Sequence, residues 1–179
     1  GLVESCRTPS GAIASPFGAD PVLRAHGLAV VADLDDGALP SGPALLADAA
    51  LLLWELSGDD AHLRIAEDAI APALERALEQ PTAFGAALAI ATRLRGAVRQ
   101  LVVVGDDPRS TLALLARTNG PELTTVVTPA QGEAFAASGF GVFEGRTTEA
   151  GESTAYLCER FVCALPVRTA SELGELLAP

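Results

Sequence analysis

The sequence has no lysine and no methionine. All 12 basic residues are arginine, against 23 acidic ones, for a net charge of -11. A chain this acidic repels phosphate backbones and anionic headgroups, so neither nucleic acid nor a membrane is expected as a partner. The densest basic group, Arg93, Arg95 and Arg99, reads as a helix end whose cations complement the helix dipole. A first residue other than methionine implies a start inside a longer protein or after processing. No basic stretch followed by an apolar one opens the chain, so no signal peptide is visible. The longest apolar run, 49–54, is far short of the roughly 20 residues that a membrane span needs. Aromatic residues make up only 4%, so a core must come from alanine, leucine and valine. Three cysteines, an odd number, argue against a disulfide framework, and a cytoplasmic protein with reduced thiols is the expectation.

Familiar catalytic signatures are also missing. There is no Walker sequence, no HExxH and no Ser/His/Asp set. The run 101–108, LVVVGDDP, opens like a nucleotide-binding strand and turn. It lacks further glycines, and Asp106 and Asp107 would repel the phosphate that such a turn holds, so a structural strand end is the reading. Cys6, His26 and His62 sit in no ligand-spaced cluster, and neither a metal nor a cofactor is expected.

What is present falls into three stretches. Residues 1–27 are rich in Gly, Pro and Ser and predict loop. Residues 28–97 predict helices. The turn segment 33–42, DLDDGALPSG, leads into an apolar helix over 44–57, of the kind buried between other helices. A second helix follows over 61–79, with a kink or break expected at Pro72. A third runs over 83–94, with Thr82 as its cap. From residue 98 to 179 the pattern alternates. Strands are predicted at 101–104, 123–127 and 155–158, helices at 111–118, 130–137 and 171–177, with a short strand at 139–143 and an extended segment at 164–167. Strand–helix–strand–helix order predicts a small, mainly parallel sheet covered by helices, and mixed α and β overall.

Two groups of side chains could carry chemistry. Asp35 and Asp36, with Ser41, could line a polar cavity, a carboxylate serving as general acid or base and Ser41 as a binding group; a turn followed by a helix start explains them as well. Cys158 and Cys163 have four residues between them, unlike the two-residue gap of a redox dithiol at a helix start. Buried thiols, a local disulfide and an accessory redox pair all fit this spacing.

Three blocks, 33–42 (DLDDGALPSG), 99–105 (RQLVVVG) and 154–167 (TAYLCERFVCALPV), occur in an order that resembles the C-terminal part of a family of thioredoxin-domain-containing proteins, the spermatogenesis-associated thioredoxin-like proteins among them. The family's pattern near its end is close to Tyr-x-Cys-x-x-Phe-x-Cys-x-x-Pro, and Tyr156, Cys158, Phe161, Cys163 and Pro166 fill it. One departure is Pro43-Ala44, where the family commonly has Asn-Ser. The resemblance implies a longer chain: a thioredoxin-like domain, an α/α toroid like that of six-hairpin glycosidases and sugar epimerases, and a small α/β segment. Residues 28–97 would be the toroid's last helices and 98–179 that segment. The function so implied is a scaffold with no catalysis of its own. The alternatives are a toroid acting on a carbohydrate ligand through Asp35 or Asp36, and a docking or thiol-exchange module in which Cys158 or Cys163 serves the thioredoxin-like domain of the same chain.

Overall fold

The computed structural model describes Val22, Ala25, His26 and residues 33–178. The loop reading of 1–27, and Cys6 with it, otherwise lies outside the described residues. The chain forms two compact units: Gly1–Leu52 with Asp60–Arg95, and Leu53–Asp59 with Gly96–Pro179.

The first unit is helical. It contains most of α1 (Gly42–Ser57), then α2 (Asp60–Ala77), a single 3-10 turn (Pro81–Ala83) and α3 (Gly85–Arg95). Small residues fill its interior: Ala44, Ala47 and Ala50 on α1, and Ala66, Ala69, Ala73 and Ala77 around Ile70 on α2. Their spacing of three and four residues draws one buried stripe down each helix. Arg76 lays its guanidinium over the buried Phe84 ring at 5.5 Å.

Three expectations are corrected in this unit. Helix α2 continues through Pro72, so of the kink or break expected there it is the break that is corrected. Pro72 lies on the exposed side, where water can take the carbonyl left without a donor. Thr82 does not cap α3, since it sits within the 3-10 turn. Helix α1 is not buried all round, because Leu45 and Leu52 stay 53% and 44% exposed.

The second unit is built on β1 (Arg99–Val104). Its neighbours are β2 (Leu123–Val127) and β3 (Thr154–Glu159), and β4 (Val162–Cys163) pairs with β3 in the order β2-β1-β3-β4. Helix α4 (Thr111–Asn119) makes the crossover from β1 to β2, α5 (Pro129–Ala137) follows, and α6 (Ala170–Leu177) ends the chain. The mainly parallel sheet of the sequence reading is corrected to a mixed one. Only β1 and β2 run parallel, and β1–β3 and β3–β4 are antiparallel. Parallel strands need a long crossover, which α4 supplies between β1 and β2. Between β2 and β3 the chain passes through α5, a 3-10 turn (Gly141–Phe143), where a strand was expected, and a loop, and β3 then pairs antiparallel with the other edge of β1. Between β3 and β4 a two-residue turn permits only a hairpin.

Both faces of β1 are covered, as its continuous apolar run requires. Leu101 and Val103 join Ala155, Leu157, Leu112 and Leu173 on one face. Val102 and Val104 join Val142, Phe143, Tyr156 and Cys158 on the other. The alternation along β3 thus puts Tyr156 and Cys158 side by side on one face.

Gly105, at the end of β1, donates its N–H to Val127 O at 3.0 Å, and a Cβ built on it would overlap Ser153 Oγ. This glycine serves backbone packing at the strand end. We expect Gly105→Ala to cost about 1–3 kcal/mol in urea unfolding, from overpacking, and Gly37→Ala, which meets nothing, to cost far less. Helix α6 carries a pH signal. Glu172 accepts hydrogen bonds from the Arg168 and Thr169 N–H groups and closes a capping box with Thr169. The Arg168 backbone bond is the largest cause holding its carboxyl below the ordinary range, followed by the bonds from Thr169. Its contribution is therefore complete above the ordinary glutamate value and is lost as pH falls through the lowered one. Amide exchange in the first turn of α6 should accelerate over that acidic window, and Glu172→Ala should remove the pH dependence.

Candidate functional site

The two sequence-predicted groups lie in different units. In the first unit, Asp36 has both carboxylate oxygens engaged. Oδ1 accepts from the Ser41 N–H at 3.0 Å, and Oδ2 accepts from the Ala86 N–H at 2.8 Å. Its own N–H donates to Ala83 O at 2.7 Å. Asp36 thus caps the start of α3 from 50 residues away and ties down the loop before α1. Ser41 is buried, and its Oγ faces the Ala44 N–H at 3.4 Å, at the start of α1. Asp35 is exposed. A groove of 460 Å³ in this unit is lined by Leu74, Leu78, Leu88 and Arg95 among others, and includes none of Asp35, Asp36 and Ser41.

In the second unit, Cys158 on β3 and Cys163 on β4 stand directly opposite each other. They form a disulfide. The expectation of reduced thiols is therefore corrected. The odd number of cysteines misled, because a local pair needs only two, and a four-residue gap closed by a tight hairpin turn brings 158 and 163 into register. Closing so short a loop contributes about 2 kcal/mol in the chain-entropy account. Cys158 is buried at 2% exposure, and Cys163 is half-buried as a residue.

The turn between them is unusual in composition. Arg160 and Phe161 have φ of 46° and 67°. Two left-handed residues are what a type I′ hairpin turn needs, and Asn-Gly or Asp-Gly normally supply them. Larger side chains there cost roughly 1–2 kcal/mol each. The surroundings offset this. The Phe161 N–H donates to Gln100 Oε1 at 2.9 Å, and Gln100 Nε2 donates to Glu55 O at 2.6 Å. The Arg160 N–H donates to Val98 O at 3.0 Å. The Phe161 ring meets Trp54 edge to face at 6.2 Å and packs over Gly58, itself at φ 76°. The Arg160 guanidinium lies over Trp54 at 5.6 Å.

One residue beside the sulfurs was not singled out in the sequence. Arg146 lies in the loop before β3, with Nη2 2.7 Å from Cys163 Sγ and 3.7 Å from Cys158 Sγ. Its guanidinium lies over the Tyr156 ring at 5.3 Å. The Tyr156 hydroxyl donates to Thr147 O at 2.7 Å and accepts from the Thr147 N–H at 3.3 Å, which fixes the backbone next to Arg146. Arg146 Nε is buried without an acceptor. Gln100 was missed as well. A single glutamine opening an otherwise apolar strand was its signal, since a polar group buried there must have partners. Among the described residues, no group of three or more His, Cys, Asp or Glu could hold a metal ion. No helix among them is long and apolar enough to cross a membrane.

Gln100 is wholly buried. Gln100→Leu strands the Phe161 N–H and removes the bond from Nε2 to the Glu55 carbonyl, and should destabilise the second unit by roughly 1–3 kcal/mol in denaturant unfolding. Hydrogen exchange should show the hairpin opening first. No protein-family model matches the chain, and no curated protein matches it.

Proposed function

We propose that the second unit is a thiol–disulfide exchange module, with Cys163 as the attacked and attacking sulfur and Cys158 as the resolving one. The carrying observation is the Cys158–Cys163 disulfide, with Cys158 a buried residue and Cys163 a half-buried one. An exchange pair needs one sulfur in reach and one that remains out of reach until the first has reacted. The proposed partner is a dithiol protein, and the resemblance of residues 154–167 makes a thioredoxin-like domain of the same longer chain the first candidate. In that reading the helices of the first unit are scaffold, as the last helices of a toroid. Acid–base work by Asp35 or Asp36 on a carbohydrate gains no support, because both oxygens of Asp36 hold backbone N–H groups.

The exchange balances as follows. A partner thiolate attacks Cys163 Sγ, a mixed disulfide forms, and Cys158 leaves with the electron pair of the broken S–S bond. The partner's second thiolate attacks its own sulfur in the mixed disulfide and releases Cys163. Two electrons pass from the partner dithiol to the chain, and the partner's two thiol protons end on Cys158 and Cys163 or in solvent. The test is to treat the folded protein with a reduced thioredoxin-like dithiol protein, quench with maleimide and count modified cysteines by intact mass. Two additional modified cysteines should appear, and a reduced partner whose second cysteine is replaced by serine should attack the intact disulfide and accumulate a mixed disulfide at Cys163, with Cys158 released as the thiol. A disulfide that opens only under denaturing conditions would refute the proposal.

A further inference from the structure

We infer that Arg146 is the positioning residue of this exchange site, the built-in counter-ion that holds the Cys163 sulfur as a thiolate once the disulfide opens. Its use in exchange rests on the proposal above, whereas the charge relation itself is tested separately.

The Arg146 charge is unmatched while the disulfide is closed. Arg146 is half-buried and has no carboxylate partner among the described residues. Its Nε–H finds no acceptor, and its Nη2 points at two sulfurs. A disulfide sulfur is a neutral, weak acceptor and does not compensate a guanidinium withdrawn from water. A thiolate would. The same contact therefore gains strength on reduction, when a sulfur takes up negative charge 2.7 Å from Nη2. Charged neighbours of this kind are what turn an ordinary cysteine into a nucleophile.

The surroundings favour this pairing over others. Among the described residues, the charged group against the sulfurs is the Arg146 guanidinium, and the titratable group beside it is the Tyr156 phenol. The phenol is already committed to the Thr147 backbone. The other elements packed here present apolar groups: Val102 from β1, Val142 and Phe143 from the 3-10 turn, Leu56 from the end of α1 and Phe161 from the hairpin. Glu159, next along β3, points to the opposite side by strand alternation, and the Arg160 guanidinium is spent on Trp54. The Tyr156 ring holds the cation from one face while its hydroxyl pins the adjacent backbone, so Arg146 is in place before the bond opens. When a partner attacks Cys163, the departing Cys158 thiolate forms 3.7 Å from the same Nη2. One guanidinium thus serves the leaving sulfur in reduction and the attacking sulfur in oxidation. A group that favours the thiolate also favours the reduced pair, which makes the disulfide the more oxidising.

The experiment uses the full chain carrying Cys6→Ser and Cys158→Ser, so that Cys163 is the sole thiol. Its iodoacetamide alkylation is followed against pH, with Arg146→Gln and Arg146→Lys beside it. The Cys163 midpoint should lie about one pH unit or more below the ordinary cysteine value of about 8.5. Arg146→Gln should return it to that value or above, and Arg146→Lys, which keeps the charge, should hold it low. A midpoint unmoved by Arg146→Gln, or an ordinary midpoint with Arg146 in place, overturns the inference. Should Arg146→Gln lose its near-ultraviolet circular dichroism, the midpoint with Arg146 in place and that of Arg146→Lys decide alone. A low midpoint in a protein that no dithiol protein reduces would leave this inference standing and sink the exchange reading. Exchange with a midpoint indifferent to Arg146 would do the reverse.

Discussion

The side-chain amide of Gln100 is the constraint on which the second unit's hairpin depends. It is wholly buried, it stands opposite Cys158 in the β1–β3 register, and it bonds in two directions, to the Phe161 N–H and the Glu55 carbonyl. A buried amide satisfied at both ends specifies one arrangement, because any slip leaves polar atoms stranded in a dry core. The arrangement it specifies is the tight turn at Arg160 and Phe161, a conformation those two residues disfavour by themselves. Once the turn is fixed, Cys158 and Cys163 are opposite each other, and the disulfide follows from register. The covalent bond then reinforces a geometry that hydrogen bonds and the Trp54–Phe161 contact already define.

The same contacts explain why 154–167 is so distinctive as sequence. Tyr156 supports Arg146, Cys158 and Cys163 meet across the hairpin, and Phe161 packs the turn onto Trp54 and Gly58. Each fixed position of the pattern except Pro166 thus has a physical task within one hairpin and its immediate surroundings.

Much of the element order was legible. The runs at 101–104, 111–118, 123–127 and 171–177 appear within a residue or two as β1, α4, β2 and α6, since apolar periodicity and caps such as Thr169 are local signals. Strand direction was not legible. It depends on where the chain travels between strands, and the loop before β3 has no periodicity to show it. Long-range capping was equally hidden: Thr82 had the right residue type for the start of α3, but Asp36 does that work from 50 positions away. The site was half visible. Its cysteines stand out by type and spacing, whereas Arg146 is one arginine among 12 until the fold brings it to the sulfurs.

Composition and site chemistry meet at that arginine. In a chain of net charge -11, two arginines of the described residues sit on carboxylates at the surface, in the Arg93–Asp48 and Arg168–Glu152 pairs. Arg146 differs in being half-buried, stacked on Tyr156 and directed at the sulfurs, with its Nε buried and without an acceptor. Burying a cation beside a neutral disulfide is unfavourable in a static scaffold, where a well-packed apolar side chain of similar volume would often serve as well or better. It becomes favourable in a site that spends part of its time reduced, because the charge is then matched. On the exchange reading proposed above, the fold tolerates the mismatch in one redox state for the sake of the match in the other.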